Sequence, residues 1–511
     1  MRKSPLFTDF YELTMACAYF HSHKKDDYAV FELFYRKNPF DGEFAVVAGH
    51  DEIKEALENF HFNAEEISYL KTLPIFSHAD PSFFKMLEEL NLDDVEIYGF
   101  MEGSLVFHHE PLLQIRGPLI KVQILESMLL NHLNFATLIA TLSRRMWLAA
   151  EGKGLVEFGM RRAQGPNGAM TATRSSYIGG FSSTSNTEGA FKYGIPAVGT
   201  MAHSFIQSFS GIRPETLTWK GKSIKPLLEE LKAQDGHHTN ESELGAFLAY
   251  CEVFPESTTL LVDTYNSLKS GVPNAIRVFK ILKQLGHSPY GIRLDSGDMA
   301  YLSKEARRMM DEAGMPELKI FTSNELDEHI IRSLKEQGAK IDAFGIGTKL
   351  VTAASDPSLG GVYKLVEING EPKIKVSDNQ SKKTIPTCKQ VYRLSGENDE
   401  YLMDILTHYQ EEPLNPGQEY LAHHPFFDDI KAKVLPTKVE PMLKLLFKNG
   451  RWIEKADLHH IRERSLKEMK KLREDILRYK NPTPYKVSLS TKLKEIMSAT
   501  YRKEMGLPLI K

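Results

Sequence analysis

Polar residues gather in short turns along the middle of the chain, and their types suit the handling of a sugar phosphate. The segment GIRLDSGD sets Arg293, Asp295, Ser296, Gly297 and Asp298 behind one apolar run, and FTSNELDE sets Ser323 and Asn324 behind the next. FGIGTKL sets Gly345, Gly347 and Thr348 behind a third, and Asp263 closes an earlier one. Two glycines let backbone N–H groups wrap a phosphate closely, with the Thr348 hydroxyl beside them. Ser323 or Asn324 would cap a following helix and leave N–H groups that suit an anion. Asp295 and Asp298 could hold ribose hydroxyls or a hydrated Mg²⁺. One Gly-rich turn alone could be a mere cap, but several in register point to a ligand.

A second group lies upstream. VEFGMRRAQGP places Phe158 beside Arg161 and Arg162, an aromatic next to paired guanidinium groups that suit phosphate or carboxylate. VGTMAHSF places Thr200 and His203 just past a further apolar run. Four His-His pairs occur, at 108–109, 237–238, 423–424 and 459–460. Adjacent side chains diverge on helices and strands, so the pairs are poor metal sites and receive no function. No GxxxxGK[ST] loop is present, so any use of ATP would proceed without one.

The elements that must position these turns follow from hydrophobic patterning. Thr259–Asp263, Tyr290–Leu294, Lys319–Thr322 and Ile341–Phe344 read as strands, alternating with helices over Ala275–Leu285, Met299–Glu312 and Glu325–Gln337. That rhythm marks βα units of a parallel sheet, in which ligands bind at the carboxyl ends of the strands. Leu155–Phe158, Ser176–Phe181 and Ala197–Thr200 are candidates for more strands of the same layer. Periodicity alone leaves open sheet and closed barrel both possible. Before this layer, residues 1–118 read as mixed α and β, with strands at Ala29–Tyr35 and Phe44–Ala48 and a helix over Ile53–Phe60. Gly117-Pro118 then precedes a long apolar helix, Leu119–Ala150. Gly211–Ser242 reads as a polar surface excursion with one short helix, Pro226–Gln234. From about 371 charge and proline increase, and Leu458–Arg478 reads as a helix with interleaved charges. No internal repeat is visible.

With 511 residues, 42% hydrophobic and 26% charged, the chain has ordinary globular composition and the length for two or three domains. A net charge of −3 gives no reason to expect nucleic acid or an anionic membrane as a partner. Three scattered cysteines exclude a disulfide framework and a cysteine zinc site, and suit a reducing compartment. Asp9 and Glu12 interrupt what a signal peptide would need as an apolar run, and nothing approaches the roughly 18 uncharged residues of a membrane helix. A cytoplasmic protein is expected.

Taken in order, LFTDFYELTMACAYF, EFGMRRAQGPNGA, GTMAHSF, LLVDTYNSLKSGVPNAI, RLDSGD, TSNELDE, GIGTKLVTAASDPSLGGVYKL and PTPYKVSLS resemble the nicotinate phosphoribosyltransferase family from Leu6 to Ser490. The main departure is the excursion Gly211–Ser242. The resemblance implies a type II phosphoribosyltransferase fold. That is an irregular, incomplete α/β barrel (119–370) with an N-terminal α/β domain (1–118) and a C-terminal segment (371–511) packed on the latter. It implies a homodimer with each active site between one subunit's barrel and the other's N-terminal domain. The reaction implied is nicotinate plus 5-phosphoribosyl pyrophosphate giving nicotinate mononucleotide and pyrophosphate, coupled to ATP hydrolysis, in NAD salvage. By the same resemblance, Tyr11 stacks on nicotinate from the neighbouring subunit and Phe158 covers its other face, while Arg293 and Thr200 meet the ring's substituents. Ser185 falls where related nicotinamide-using enzymes carry an aspartate. Arg161 lies near pyrophosphate, Asp263 and Asp295 lie around ribose and Mg²⁺, and Gly345, Gly347 and Thr348 hold phosphate. Ser296, Gly297, Ser323 and Asn324 are expected to contribute to the same sugar-phosphate site, and His203 matches the histidine that ATP phosphorylates. A phosphoribosyltransferase for nicotinamide or quinolinate, and a sugar-phosphate-binding barrel without turnover, are the alternatives.

Overall fold

The computed structural model describes residues 4–211, 214–216, 218–376 and 383–507. Ile212, Arg213 and Leu217 of the polar excursion therefore lie outside the described residues, as do 377–382 and 508–511 of the C-terminal segment. The chain divides into two compact units, Leu142–Ala354 and a discontinuous one made of Met1–Thr141 with Ser355–Lys511.

Leu142–Ala354 is organised by six parallel strands: β1 (Gly154–Glu157), β2 (Ser183–Thr184), β3 (Thr259–Leu261), β4 (Gly291–Leu294), β5 (Lys319–Asn324) and β6 (Ala343–Ile346). Their order is β3-β4-β5-β6-β1-β2, with every neighbouring pair parallel. Among the described residues the two ends of this ladder, β3 and β2, are not paired with each other, and one further parallel bridge, Thr184 to Ala197, lies beyond β2. Short runs such as GIRL and AFGI are buried nearly throughout, as a layer covered on both faces requires. Helices α1 (Gly165–Gly179), α2 (Lys225–Asp235), α3 (Glu241–Val253), α4 (Val272–Gln284), α5 (Met299–Glu312) and α6 (Glu328–Glu336) accompany them. In α4, Val272, Ala275, Val278, Phe279 and Leu282 are buried on one apolar stripe at helical spacing.

Three caps begin these helices: Asn240 accepts from Glu243 N–H, Asp298 from Tyr301 N–H, and Asp327 from both His329 and Ile330 N–H. Asp298 Oδ1 is thus engaged as the cap of α5. Asp327, not Ser323 or Asn324, starts α6. β5 runs on through Asn324, leaving a loop before α6 begins.

Other expectations are corrected as well. Ser176–Phe181 is not a strand but the buried end of α1 and the turn after it, where Gly180 takes φ 123. A helix with buried residues all round at its end looks like a strand when read as a short run. Ala197–Thr200 contributes a single bridge at Ala197. Leu119–Ala150 is two helices, Leu119–Ile124 and Glu126–Ala150, and the charged helix starting at Leu458 ends at Met469 rather than Arg478.

In the discontinuous unit, Tyr28–Tyr35 pairs antiparallel with Leu113–Pro118 on one side and Gly361–Ile368 on the other. The strand at 361–368, assigned to the barrel from sequence, therefore belongs to the N-terminal sheet, a seven-stranded assembly. A second sheet of six strands lies wholly within residues 389–489. Among the described residues no helix is long and apolar enough to cross a membrane.

Candidate active site at the strand ends

Because β3, β4, β5, β6 and β1 are parallel, the turns after them share one edge of the sheet. Arg293, three residues into β4 and nearly buried, is the hub. Its Nε donates to Ser323 Oγ at 2.8 Å, Nη1 to Thr200 Oγ1 at 3.1 Å and Nη2 to Asp295 Oδ1 at 2.9 Å. The Ser323 hydroxyl itself donates to Asp295 Oδ1. Burial alone would push the Asp295 carboxyl up; the Ser323 hydrogen bond and the Arg293 guanidinium outweigh it and hold the group below the usual carboxylate range.

Asp263 follows β3 and is 9% exposed. Its Oδ2 accepts the Asp295 N–H at 3.1 Å and the Ser296 hydroxyl at 2.5 Å. Its Oδ1 is buried with no hydrogen-bond partner among the described residues. A buried carboxylate oxygen in that condition is costly without a ligand to meet it. His203 stands close by, Nδ1 at 3.0 Å from Thr264 Oγ1 and Nε2 at 3.9 Å from Asp295 Oδ2.

Phe158 follows β1, its N–H donating to Ile346 O at 2.8 Å. Its ring lies 5.6 Å from that of Phe321, with the Arg293 guanidinium carbon 5.5 Å from its centroid. Gly345 is glycine because of this ring: a Cβ there would come within 2.7 Å of it. At Gly347 a Cβ would approach the Phe158 carbonyl oxygen at 3.2 Å. The small residues of GIGT thus seat the aromatic as well as opening the turn. Thr348 Oγ1 donates to Glu325 Oε1 at 3.1 Å.

The network joins Arg293, Thr200, Ser323, Asp295, Asp263, Ser296 and His203, with Phe158 and Gly345 packed beside it. Other expected residues stand apart from it. Arg161 and Arg162 are exposed on a single 3₁₀ turn, Met160–Arg162. Gly297 supplies a positive φ of 86 just before the α5 cap, and Asn324 is exposed with φ 148. Ser185 is exposed; its backbone N–H donates to Glu157 O at 2.9 Å. Tyr11 belongs to the other unit, on the helix Phe10–His21, 46% exposed. Burial, then the Glu126 and Glu12 carboxylates, push its phenol above the ordinary value.

Sequence reasoning missed Glu157, 1% exposed at the end of β1. It accepts from Thr184 Oγ1 at 2.5 Å, from Thr173 Oγ1 at 3.1 Å and from Gly159 N–H, so it shapes the turn carrying Phe158 and Arg161. A glutamate inside the apolar run LVEF was the available signal. Arg36 was missed too. Its Nε is buried without a hydrogen-bond partner among the described residues, and burial lowers its pKa. Lys364 is depressed chiefly by burial, which the Glu126 carboxylate opposes and the Arg36 and Lys375 charges reinforce. Pairing across the sheet, invisible in sequence, brings residues 36 and 361–364 near each other.

The parallel α/β layer, accompanied by a second α/β unit, matches a solved phosphoribosyltransferase over nearly its whole length and has the type II phosphoribosyltransferase fold. Residues 6–134 match the nicotinate phosphoribosyltransferase N-terminal domain, 154–404 the family as a whole and 388–497 its C-terminal domain. Nicotinate phosphoribosyltransferase 1 of Arabidopsis thaliana is 40% identical over 519 residues, an alignment covering 96% of this chain and 92% of that one. The Homo sapiens relative is 36% identical, with 97% and 96% covered. The crystal structure of human nicotinic acid phosphoribosyltransferase superposes with a TM-score of 0.85 at 34% identity, covering 96% of this chain and 99% of that one. The chain belongs to the nicotinate phosphoribosyltransferase family, and it is an enzyme.

Proposed function

We propose that the chain transfers the phosphoribosyl group of 5-phosphoribosyl pyrophosphate to nicotinate, giving nicotinate mononucleotide and pyrophosphate for NAD salvage. The observation that carries this reading is the partly buried linkage of Arg293, Ser323, Asp295 and Asp263 beside Phe158. The pyridine nitrogen attacks ribose C1′ with its own lone pair while the bond from C1′ to pyrophosphate oxygen breaks, so no general base is needed. The barrier is charge separation, and fixed charges lower it. Asp295, kept ionised by Ser323 and Arg293, holds ribose and stabilises developing positive charge at C1′. Arg161 meets the leaving pyrophosphate. Ser296, Gly297, Asn324, Gly345, Gly347 and Thr348 hold the 5-phosphoribosyl group. Phe158 orients the ring and Arg293, with Thr200 and Ser185, receives its carboxylate.

Two carboxylate oxygens remain for Mg²⁺: Asp263 Oδ1, which is buried without a donor, and Asp295 Oδ2. Two protein carboxylates suit an ion completed by water and substrate phosphates. When bound, Mg²⁺ neutralises charge on the pyrophosphate.

ATP use is assigned to His203. With Nδ1 engaged by Thr264 Oγ1, Nε2 is the nitrogen left to take the γ-phosphoryl group as ADP leaves, and water later releases phosphate. The sites are completed in a homodimer, where Tyr11 of each subunit serves its neighbour. The experiment is one assay: pyrophosphate release with nicotinate, nicotinamide or quinolinate as acceptor, each with and without ATP. Nicotinate should be preferred and ATP should stimulate. Preference for another acceptor would reassign the substrate, and no pyrophosphate from any of them would leave a binding barrel without turnover.

A further inference from the structure

Behind Asp263 sits a carboxyl group that the reaction above does not use. Glu243, in the first turn of α3, is 0% exposed. Its Oε2 accepts from Ser270 Oγ at 2.6 Å and from Asn274 Nδ2 at 3.0 Å. Its Oε1 is buried with no hydrogen-bond partner among the described residues. Ser270 lies in a single π turn, Ser267–Gly271, that leads directly into α4. Such turns are rare in helices and are often found at functional sites. Asn266 caps it by accepting the Lys269 N–H at 2.8 Å. The turn is wedged against the end of β3: a Cβ on Gly271 would run into the carbonyl oxygen of Val262, the residue before Asp263.

The end of the polar excursion locks onto the same group. The Asn240 N–H donates to Ser270 Oγ at 2.9 Å, its carbonyl accepts from Asn274 Nδ2 at 3.0 Å, and its side chain accepts the Glu243 N–H at 2.9 Å. Arg277 of α4, its side chain 1% exposed, grips both Asp235 carboxylate oxygens at 2.6 Å, Thr239 Oγ1 at 2.7 Å and the His237 carbonyl at 2.7 Å. The excursion is therefore anchored at its C-terminal end, and Glu243 is the acceptor where its contacts and those of the π turn converge.

We infer that Glu243 is a positioning residue for Asp263: by holding Ser270 and Asn274 it fixes the 267–271 turn against Val262, and with it the place from which Asp263 presents its carboxylate. The inference rests on the reading of Asp263 as a ribose and Mg²⁺ ligand. Asp263 is oriented through one oxygen only, so its placement follows its backbone closely. The two carboxyls also sense each other. Burial, chiefly, pushes Glu243 up to about 7, the Ser270 and Asn274 hydrogen bonds oppose the rise, and the Asp263 charge adds to it. A glutamine at 243 would keep an acceptor for both partners without the charge.

The test measures binding of 5-phosphoribosyl pyrophosphate with Mg²⁺ by titration calorimetry, alongside steady-state kinetics. Glu243→Ala should weaken that binding about tenfold and leave the KM for nicotinate unchanged, with Ser270→Ala weakening it about threefold; Glu243→Gln should restore it to within about twofold. In an Asp263→Asn background Glu243→Ala should have almost no further effect, because both changes act through one carboxylate. An equal loss on both backgrounds, or no loss on either, overturns the inference. Should Glu243→Ala fail to fold, Ser270→Ala carries the same comparison. An Asp263→Asn enzyme that binds and turns over like wild type would instead overturn the assignment of Asp263, with Glu243 left as a structural group.

Discussion

Arg293→Lys is the sharpest perturbation of the site, because it keeps the charge and removes only the fork. The guanidinium reaches Ser323, Thr200 and Asp295 from three different nitrogens at 2.8, 3.1 and 2.9 Å. A lysine ammonium is a single point on a flexible stem and would settle on Asp295, the charged partner. Two hydrogen bonds to neutral hydroxyls are then lost, at about 1 kcal/mol each. A loss of ~2 kcal/mol expressed fully in the transition state is about thirtyfold in kcat/KM. That figure is a floor if the same fork also receives the nicotinate carboxylate, since a bidentate contact would be lost as well. The assay is steady-state kinetics with nicotinate varied, on a variant whose melting temperature shows it folded. The loss should appear mainly as a higher KM for nicotinate. A folded Arg293→Lys enzyme within about threefold of wild type would refute the reasoning: the fork geometry would then contribute nothing that a bare positive charge does not.

Four further outcomes follow from the proposed function. Ser185→Asp should lower kcat/KM for nicotinate by at least about a hundredfold while raising use of nicotinamide, since a carboxylate would face the substrate's own; the ratio of the two specificity constants is the measurement, and an unchanged ratio returns discrimination to Arg293. Mixing inactive Tyr11→Ala and Asp295→Ala chains should restore activity in heterodimers if Tyr11 acts in trans, and no recovery from isolated heterodimers would place Tyr11 in its own subunit's site. His203→Ala should lose the ATP stimulation and the acid-labile label from γ-labelled ATP yet keep some ATP-independent turnover, whereas equal labelling would move the phosphoryl acceptor elsewhere. Asp295 is held below its ordinary value, so its contribution to stability is complete above about pH 4 and is lost as pH falls through the lowered value; Ser323→Ala removes one cause of that lowering and should shift acid unfolding, followed by circular dichroism, to higher pH.

Five of the six parallel strands were legible in the sequence as short runs ended by polar turn residues, whereas Ser183–Thr184, two polar residues, was not. Thr259, Tyr290, Lys319 and Ile341 each mark the start of such a run to within a few positions of the observed strand. Arg293, Asp295, Ser296, Ser323 and Asp263 of the central network were legible for the same reason: they stand at or just beyond the carboxyl ends of those runs. What could not be read was which partner each polar group would choose. Asp298 caps a helix, and Gly345 makes room for the Phe158 ring as well as opening its turn. Asp263 and Asp295 fall 32 positions apart yet share a hydrogen bond, which parallel register alone produces. Ser176–Phe181 misled because a fully buried helix end has no polar face to reveal its period. The strand at 361–368 was placed with the wrong unit because its partner, Tyr28–Tyr35, is so distant in sequence.

That distance has a consequence for how the protein is made. Tyr28–Tyr35 emerges from the ribosome early, but its neighbour Gly361–Ile368 is synthesised only after the whole of Leu142–Ala354 has followed. At roughly 5–20 residues per second the wait is about 15–65 s, far longer than a hairpin needs to form. During that interval one edge of an almost wholly buried, aromatic-rich strand, YAVFELFY, has no partner from its own chain. The continuous unit can complete its contacts first, while the first 141 residues wait for the end of translation. Chaperone demand should therefore fall on the amino-terminal segment, and truncation after Ala354 should yield aggregates with that edge still open.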